Sequence, residues 1–155
     1  MLLETHLFNG RFEHTIDAKG RVSIPSRFRE ILSSRYADDR LIVTSFIDPC
    51  LIAYPVAEWH ALEERVRTLP RFDPAVIQLK RLLVSGATEC PIDKNGRILI
   101  PPVLREFAGL DREIIWAGMT DTIEIWSKDG WDEMFEKARG PDLPDLKEAL
   151  GKLGL

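Results

Sequence analysis

The chain has 155 residues, 45% of them hydrophobic and 30% charged, with a net charge of −4. That is enough apolar material for one or two small packed domains, and no apolar run nears the roughly 20 residues that a membrane span needs. The first six residues hold no basic stretch followed by an apolar core, so neither export nor membrane insertion is expected, and the cytoplasm is the expected compartment.

An incoming strand carrying Gly10, Glu13 and Ile16 leads into the stretch 17–25, Asp-Ala-Lys-Gly-Arg-Val-Ser-Ile-Pro. An Asp side chain bonds the backbone two residues on, and glycine takes a positive φ at no steric cost, so Asp17 and Gly20 predict a turn. Beyond it the side chains alternate: Arg21 and Ser23 face one side of a strand, Val22 and Ile24 the other. Pro25 and Ser26 open a short helix with Phe28, Ile31 and Leu32 on one face. Strands at 41–44 and 50–54 follow. A helix with Trp59, Leu62, Val66 and Leu69 in one stripe then closes the half, and Pro70 and Pro74 mark a linker.

A bridging helix at 75–83, with Val76, Leu79 and Leu83 on one face, leads to the same unit written again: 93–101 reads Asp-Lys-Asn-Gly-Arg-Ile-Leu-Ile-Pro. At an offset of 76 residues Gly10 matches Gly86, Glu13 Glu89, Ile16 Ile92, Asp17 Asp93, Gly20 Gly96 and Arg21 Arg97. Later the offset is 72, which sets Tyr54 against Trp126 and Trp59 against Trp131, so the second half is expected to lack four residues of its middle loop. Here Arg97 and Leu99 share the side that Arg21 and Ser23 share in the first copy, so the arginine keeps its position while its neighbour becomes apolar. A helix with Leu104, Phe107 and Ala108 stops at Gly109, a residue suited to a left-handed cap. Strands at 114–117 and 122–126 precede a helix that Ser127 caps and that carries Trp131, Phe135 and Ala138. Leu143, Leu146, Leu150 and Leu153 then recur at helical spacing, a stripe that needs cover from its own domain or from another subunit.

The acidic total hides a local excess of positive charge. Between Arg11 and Arg35 stand Arg11, Lys19, Arg21, Arg27, Arg29 and Arg35 against Glu13, Asp17 and Glu30, a local +3, while Asp142, Asp145 and Glu148 carry acidity elsewhere. A basic patch on an acidic protein is compatible with phosphate binding, because the nearby field matters more than the total. Cys50 and Cys90 lack metal-binding spacing and read as small core residues. His6, His14 and His60 show no metal spacing, and Trp59, Trp126 and Trp131 read as core or interface anchors.

The chain resembles the MraZ family of bacterial transcriptional regulators, a double version of the AbrB-like DNA-binding domain. In the first half the resemblance rests on Asp17 to Arg21 with Ile24-Pro25 and Arg29-Glu30, then Cys50-Leu51, Tyr54-Pro55 and Glu58-Trp59. In the second half it rests on Asp93 to Arg97, Leu104-Arg105, Ala108 to Leu110, Gly118 and Glu124 to Trp126. It implies an α+β fold: two tandem AbrB-like β-α-β repeats, at 1–70 and 83–140, forming a pseudo-two-fold β-barrel core with short flanking helices. A bridging helix at 71–82 and a helical tail at 141–155 complete the chain. It further implies a repressor or regulator that binds short direct repeats of double-stranded DNA in its own promoter, upstream of division and cell-wall genes. Such proteins form ring-shaped homo-oligomers, octamers or dodecamers, at the nucleoid, and need no cofactor or metal.

The family's Asp-x-x-x-Arg motif falls on Asp17 and Arg21 and on Asp93 and Arg97, with Gly20 and Gly96 completing the turns. Arg21 is expected to reach guanine O6 and N7, and Arg97 to do so from the second half; Lys19, Lys94 and Arg11 are expected to contact phosphates. Either arginine can instead bond its neighbouring Asp. Arg27, Arg29 and Arg105 are expected to be solvated or paired with Glu30 or Glu106. No Gly-x-Ser-x-Gly, phosphate loop or His-Asp-Ser order is present, so an enzyme is not expected. An antitoxin-like or scaffold interaction module remains the alternative; it calls for a disordered partner-binding tail, whereas this tail is short and leucine-striped.

Overall fold

The computed structural model describes residues 6–140 and 144–155; the readings placed on 1–5, Asp142 and Leu143 lie outside them. Among the described residues each half follows the predicted order. The first comprises β1 (Arg11–Thr15), β2 (Arg21–Ser23), α1 (Ser26–Ile31), β3 (Arg40–Ser45), β4 (Leu51–Pro55) and α2 (Val56–Arg67). After α3 (Pro74–Leu79) come β5 (Thr88–Pro91), β6 (Arg97–Leu99), α4 (Pro102–Ala108), β7 (Glu113–Gly118), β8 (Ile123–Ser127), α5 (Lys128–Arg139) and α6 (Pro144–Lys152). The fold is α+β, with antiparallel pairing in both sheets.

The halves are woven into each other. Six strands form one sheet in the order β1-β7-β8-β4-β3-β5, and β2 and β6 form a separate two-stranded ribbon. Thus β1 pairs with a strand of the second half and β5 with a strand of the first. In the ribbon Val22 faces Ile98, its own counterpart; between β4 and β8 Ile52 faces Glu124, again its counterpart. A duplicated chain meets itself in this way when the two copies are placed alike, and each half then completes the hydrogen bonding of the other's strands.

The register also places the four missing residues. Phe12 pairs with Trp116, whereas its counterpart Thr88 pairs with Val43, so β3 and β7 correspond at an offset of 73. Three of the four residues are therefore lost before the hairpin, and the fourth within it. In the first half α1 runs on through a π turn, Leu32–Tyr36, that ends on Ala37 at φ 49°; α4 stops at once on Gly109 at φ 64°.

Between the sheets lies the main core. Val22 in β2 with Ile24 just after it, and Ile98 in β6 with Ile100 just after it, are buried with Leu41, Leu51, Ile114, Trp116, Ile123 and Ile125. Phe28 meets the rings of Phe8 and Phe12 edge-on at 5.4 and 5.1 Å. Cys90 joins this core, while Cys50 packs with Ile115 and Trp126 in a second cluster against Trp131 and Met134 of α5. Burial pushes the Cys50 thiol up to about 12 and Cys90 to about 11, so both remain protonated at neutral pH. The closing helices repeat one aromatic pair, Tyr54 with Trp59 at 5.2 Å and Trp126 with Trp131 at 5.9 Å. Ser127 caps α5 as predicted, its hydroxyl accepting from Gly130 N at 2.9 Å.

The bridging helix is anchored where β3 needs a polar partner: the buried Thr44 hydroxyl donates to the Leu83 carbonyl at 2.5 Å. Of the tail's described stripe leucines, Leu146 in α6 and Leu153 just after it are exposed, while Leu150 is half-buried. Among the described residues no helix is long and apolar enough to cross a membrane.

Candidate nucleic-acid interface

Each end of the ribbon begins at an Asp turn. Asp17 Oδ1 accepts the backbone N–H groups of Lys19 (3.0 Å) and Arg21 (2.8 Å), and Gly20 N donates to the Asp17 carbonyl at 3.0 Å, with Gly20 at φ 92°. The second turn repeats this: Asp93 Oδ1 accepts from Asn95 N (2.8 Å) and Arg97 N (3.0 Å), Gly96 N donates to the Asp93 carbonyl at 2.9 Å, and Gly96 has φ 74°. The turns close on each other's strands, since Ile100 N donates to the Gly20 carbonyl and Ile24 N to that of Gly96, both at 2.9 Å.

The arginines do two things at once. Arg21 Nε donates to Asp17 Oδ2 at 2.7 Å and Arg97 Nε to Asp93 Oδ2 at 3.3 Å. Their terminal guanidinium nitrogens take no hydrogen bond among the described residues, so the bond to Asp orients the guanidinium without using up its outer edge. The backbone N–H of Arg21, aided by its side chain, holds the Asp17 carboxyl below the usual carboxylate range, and Arg97 acts likewise on Asp93.

Burial of Val22 and Ile98 turns the intervening residues to the other face. Arg21 stands directly opposite Leu99 and Ser23 opposite Arg97, so both arginines lie diagonally on one face of one ribbon. Lys19 and Lys94 belong to the turns at its two ends. The structure thus brings Arg21, Lys19, Arg97 and Lys94 together and sets Arg11 apart, its guanidinium 5.7 Å from the ring centre of Trp131 and 5.0 Å from that of Phe135.

One of the arginines expected on a helix surface is instead tied across the fold. Arg105 does not pair with Glu106: its Nε donates to the Ile100 carbonyl at 3.0 Å and its Nη1 to the Ala18 carbonyl of the opposite half at 3.5 Å. Arg29 is exposed, as expected, and its guanidinium lies over Gly96. Each reaches across because the short helix of one half sits beside the turn of the other. Arg27 keeps the expected pairing, 3.8 Å from Glu30. His14 was not legible as part of the site; its Nδ1 lies 2.8 Å from the Ser23 carbonyl and 2.9 Å from the Ser23 hydroxyl. Its period-two spacing from Phe12, which faces the core, is the only signal that could have placed it. Among the described residues no group of three or more His, Cys, Asp or Glu is placed to hold a metal.

Comparison with known proteins matches this duplicated frame. A family model described as "MraZ protein, putative antitoxin-like" matches residues 7–82 and again 83–150. The chain is 42% identical over 149 residues to a protein of Desulfitobacterium hafniense (strain Y51) named Transcriptional regulator MraZ, covering 96% of this chain and 100% of that one. It is 47% identical over 126 residues to the protein of that name from Desulforamulus reducens (81% and 85% covered). With that of Pelotomaculum thermopropionicum it shares 45% over 149 residues (96% and 99% covered).

Proposed function

The chain belongs to the MraZ family, and from that premise we propose that it regulates transcription by laying the β2–β6 ribbon into the major groove of double-stranded DNA. The observation that carries this is the pair of Asp-held arginines on one face of a two-stranded ribbon. A ribbon of this kind fits a major groove about 12 Å wide, and an arginine can bond guanine O6 and N7 together. Because Asp17 and Asp93 already restrain the side chains, little further ordering is needed on binding. Lys19 and Lys94 flank the ribbon and neutralise phosphates on either side. Arg11 contributes less, since leaving the rings of Trp131 and Phe135 forfeits cation–π attraction of about 0.5–1 kcal/mol.

The finer reading follows the family. The halves at 1–70 and 83–140 form a pseudo-two-fold barrel, subunits join as a ring of eight or twelve, and several ribbons engage short direct repeats in the protein's own promoter. Weak single contacts then add through multivalency. The site of action is the cytoplasmic nucleoid, and the regulated genes serve division and the cell wall.

Fluorescence anisotropy with DNA from upstream of the protein's own gene tests this across a salt series, with scrambled DNA as control. Arg21→Ala is expected to cost about 1–3 kcal/mol and to lose sequence preference. Lys19→Ala should weaken both DNAs alike and reduce the salt slope by about one. The family model's antitoxin-like description favours a second reading, an interaction module; wild-type binding no stronger than to scrambled DNA would select it.

A further inference from the structure

Leu99 stands on the ribbon's outer face, 57% exposed and directly opposite Arg21. Its counterpart Ser23, opposite Arg97, is polar and held by His14. The two ends of the ribbon therefore share a turn and an arginine but present different chemistry beside it. An exposed leucine next to an arginine on a DNA-facing strand leaves apolar surface in water in the free protein. In the major groove the base edge that matches such a surface is thymine, whose C5-methyl projects into the groove. Directly opposed side chains stand about 4.5–5.5 Å apart at Cβ, and successive bases along a strand about 3.4 Å, so Leu99 and Arg21 are spaced to meet neighbouring base pairs.

We propose that Leu99 is a specificity residue that packs on the methyl group of a thymine beside the guanine contacted by Arg21. The ribbon then reads different base pairs at its two ends, and the protein sits on its site in one orientation. This rests on the DNA-binding reading above.

The experiment compares one DNA fragment from upstream of the protein's own gene, made once with thymidine and once with deoxyuridine, with scrambled DNA in both forms as control. Wild type is expected to bind the uracil form about three- to fourfold more weakly for each methyl contacted. Leu99→Ser should bind the thymine form more weakly and respond little to the exchange, while Leu99→Met restores the response. None of these changes alters charge, so the salt slope should stay constant. Equal wild-type binding to both forms overturns the proposal, and this comparison needs no variant to fold. An unchanged thymine-to-uracil ratio in Leu99→Ser, with a changed particle mass by light scattering, overturns it in favour of contact with a second copy. Binding of neither form above the scrambled controls is a separate result: the DNA-binding reading fails, and the proposal with it.

Discussion

At the first turn Asp17 holds Arg21 at 2.7 Å, and the guanidinium lying over Gly20 is that of Arg105, bonded to the carbonyls of Ile100 and Ala18. At the second turn Asp93 holds Arg97 at 3.3 Å, and the guanidinium over Gly96, that of Arg29, makes no hydrogen bond among the described residues. The Asp, the glycine and the arginine bond are common to both, because the positive φ and the clustered backbone donors demand them. What surrounds the turns has diverged. Duplication has preserved the parts that set backbone geometry and left the packing and outward-facing residues free to differ.

The largest expected contrast lies in the core beneath the turns, where Phe28 and Leu104 are counterparts, both almost fully buried. Phe28→Ala removes a ring that two other rings meet edge-on and should cost about 3–5 kcal/mol; Leu104→Ala should cost about 2–3 kcal/mol. Chemical denaturation measures both. A larger loss at Leu104 would show that the shared core is packed more tightly around α4 than around α1.

Next come the glycines. A Cβ at Gly20 would lie 2.7 Å from the Ile100 carbonyl oxygen and 2.7 Å from Arg105 Nε, atoms bonded to each other and fixed in place. At Gly96 the nearest atoms all belong to the far end of Arg29, which can swing away. Both alanines suffer the positive φ, so Gly96→Ala should cost about 1–2 kcal/mol and Gly20→Ala about 2–4 kcal/mol. Equal losses would mean that the bonded guanidinium adds no rigidity to the first turn.

The turns and strand faces were legible in the sequence because their signals are local: Asp, Gly and period-two alternation act within a few residues. Alternation tells which side of β1 faces the core but not which strand lies beside it, so the exchange of β1 and β5 between halves was not readable. The π turn at Leu32–Tyr36 was hidden for a related reason, since a sequence offset counts lost residues without saying where the backbone absorbs them. Arg105 looked like a solvated helix position because the turn it bonds is far away in the chain, whereas Arg29 is exposed as expected and only its place over Gly96 was unreadable. The rings of Trp131 and Phe135 beside Arg11 were unreadable for the same reason, since only the fold brings α5 to that arginine. Within the site, the spacing of each Asp and Arg allows a bond between them as well as DNA contact, and the structure shows a bond through Nε that leaves the outer edge of the guanidinium open.

The smallest effect should appear at acid pH. Both turn carboxyls lie below their ordinary value of 3.8, chiefly through the backbone N–H groups of Arg21 and Arg97. A carboxyl whose pKa is lower folded than unfolded stabilises the fold while ionised, so its contribution is complete above the unfolded value and disappears as pH falls through the folded one. Asn at either position keeps an oxygen for the turn's N–H groups but has no charge to titrate. Stability of Asp17→Asn and Asp93→Asn should therefore fall less steeply than that of wild type on acidification below about pH 4. The closer arginine at the first turn makes Asp17→Asn the variant that removes more of this dependence. Thermal melts of the two variants from pH 6 to pH 2.5 decide it. Coincident curves would show that the 2.7 and 3.3 Å contacts are equivalent in energy, and that the turns differ only in what packs around them.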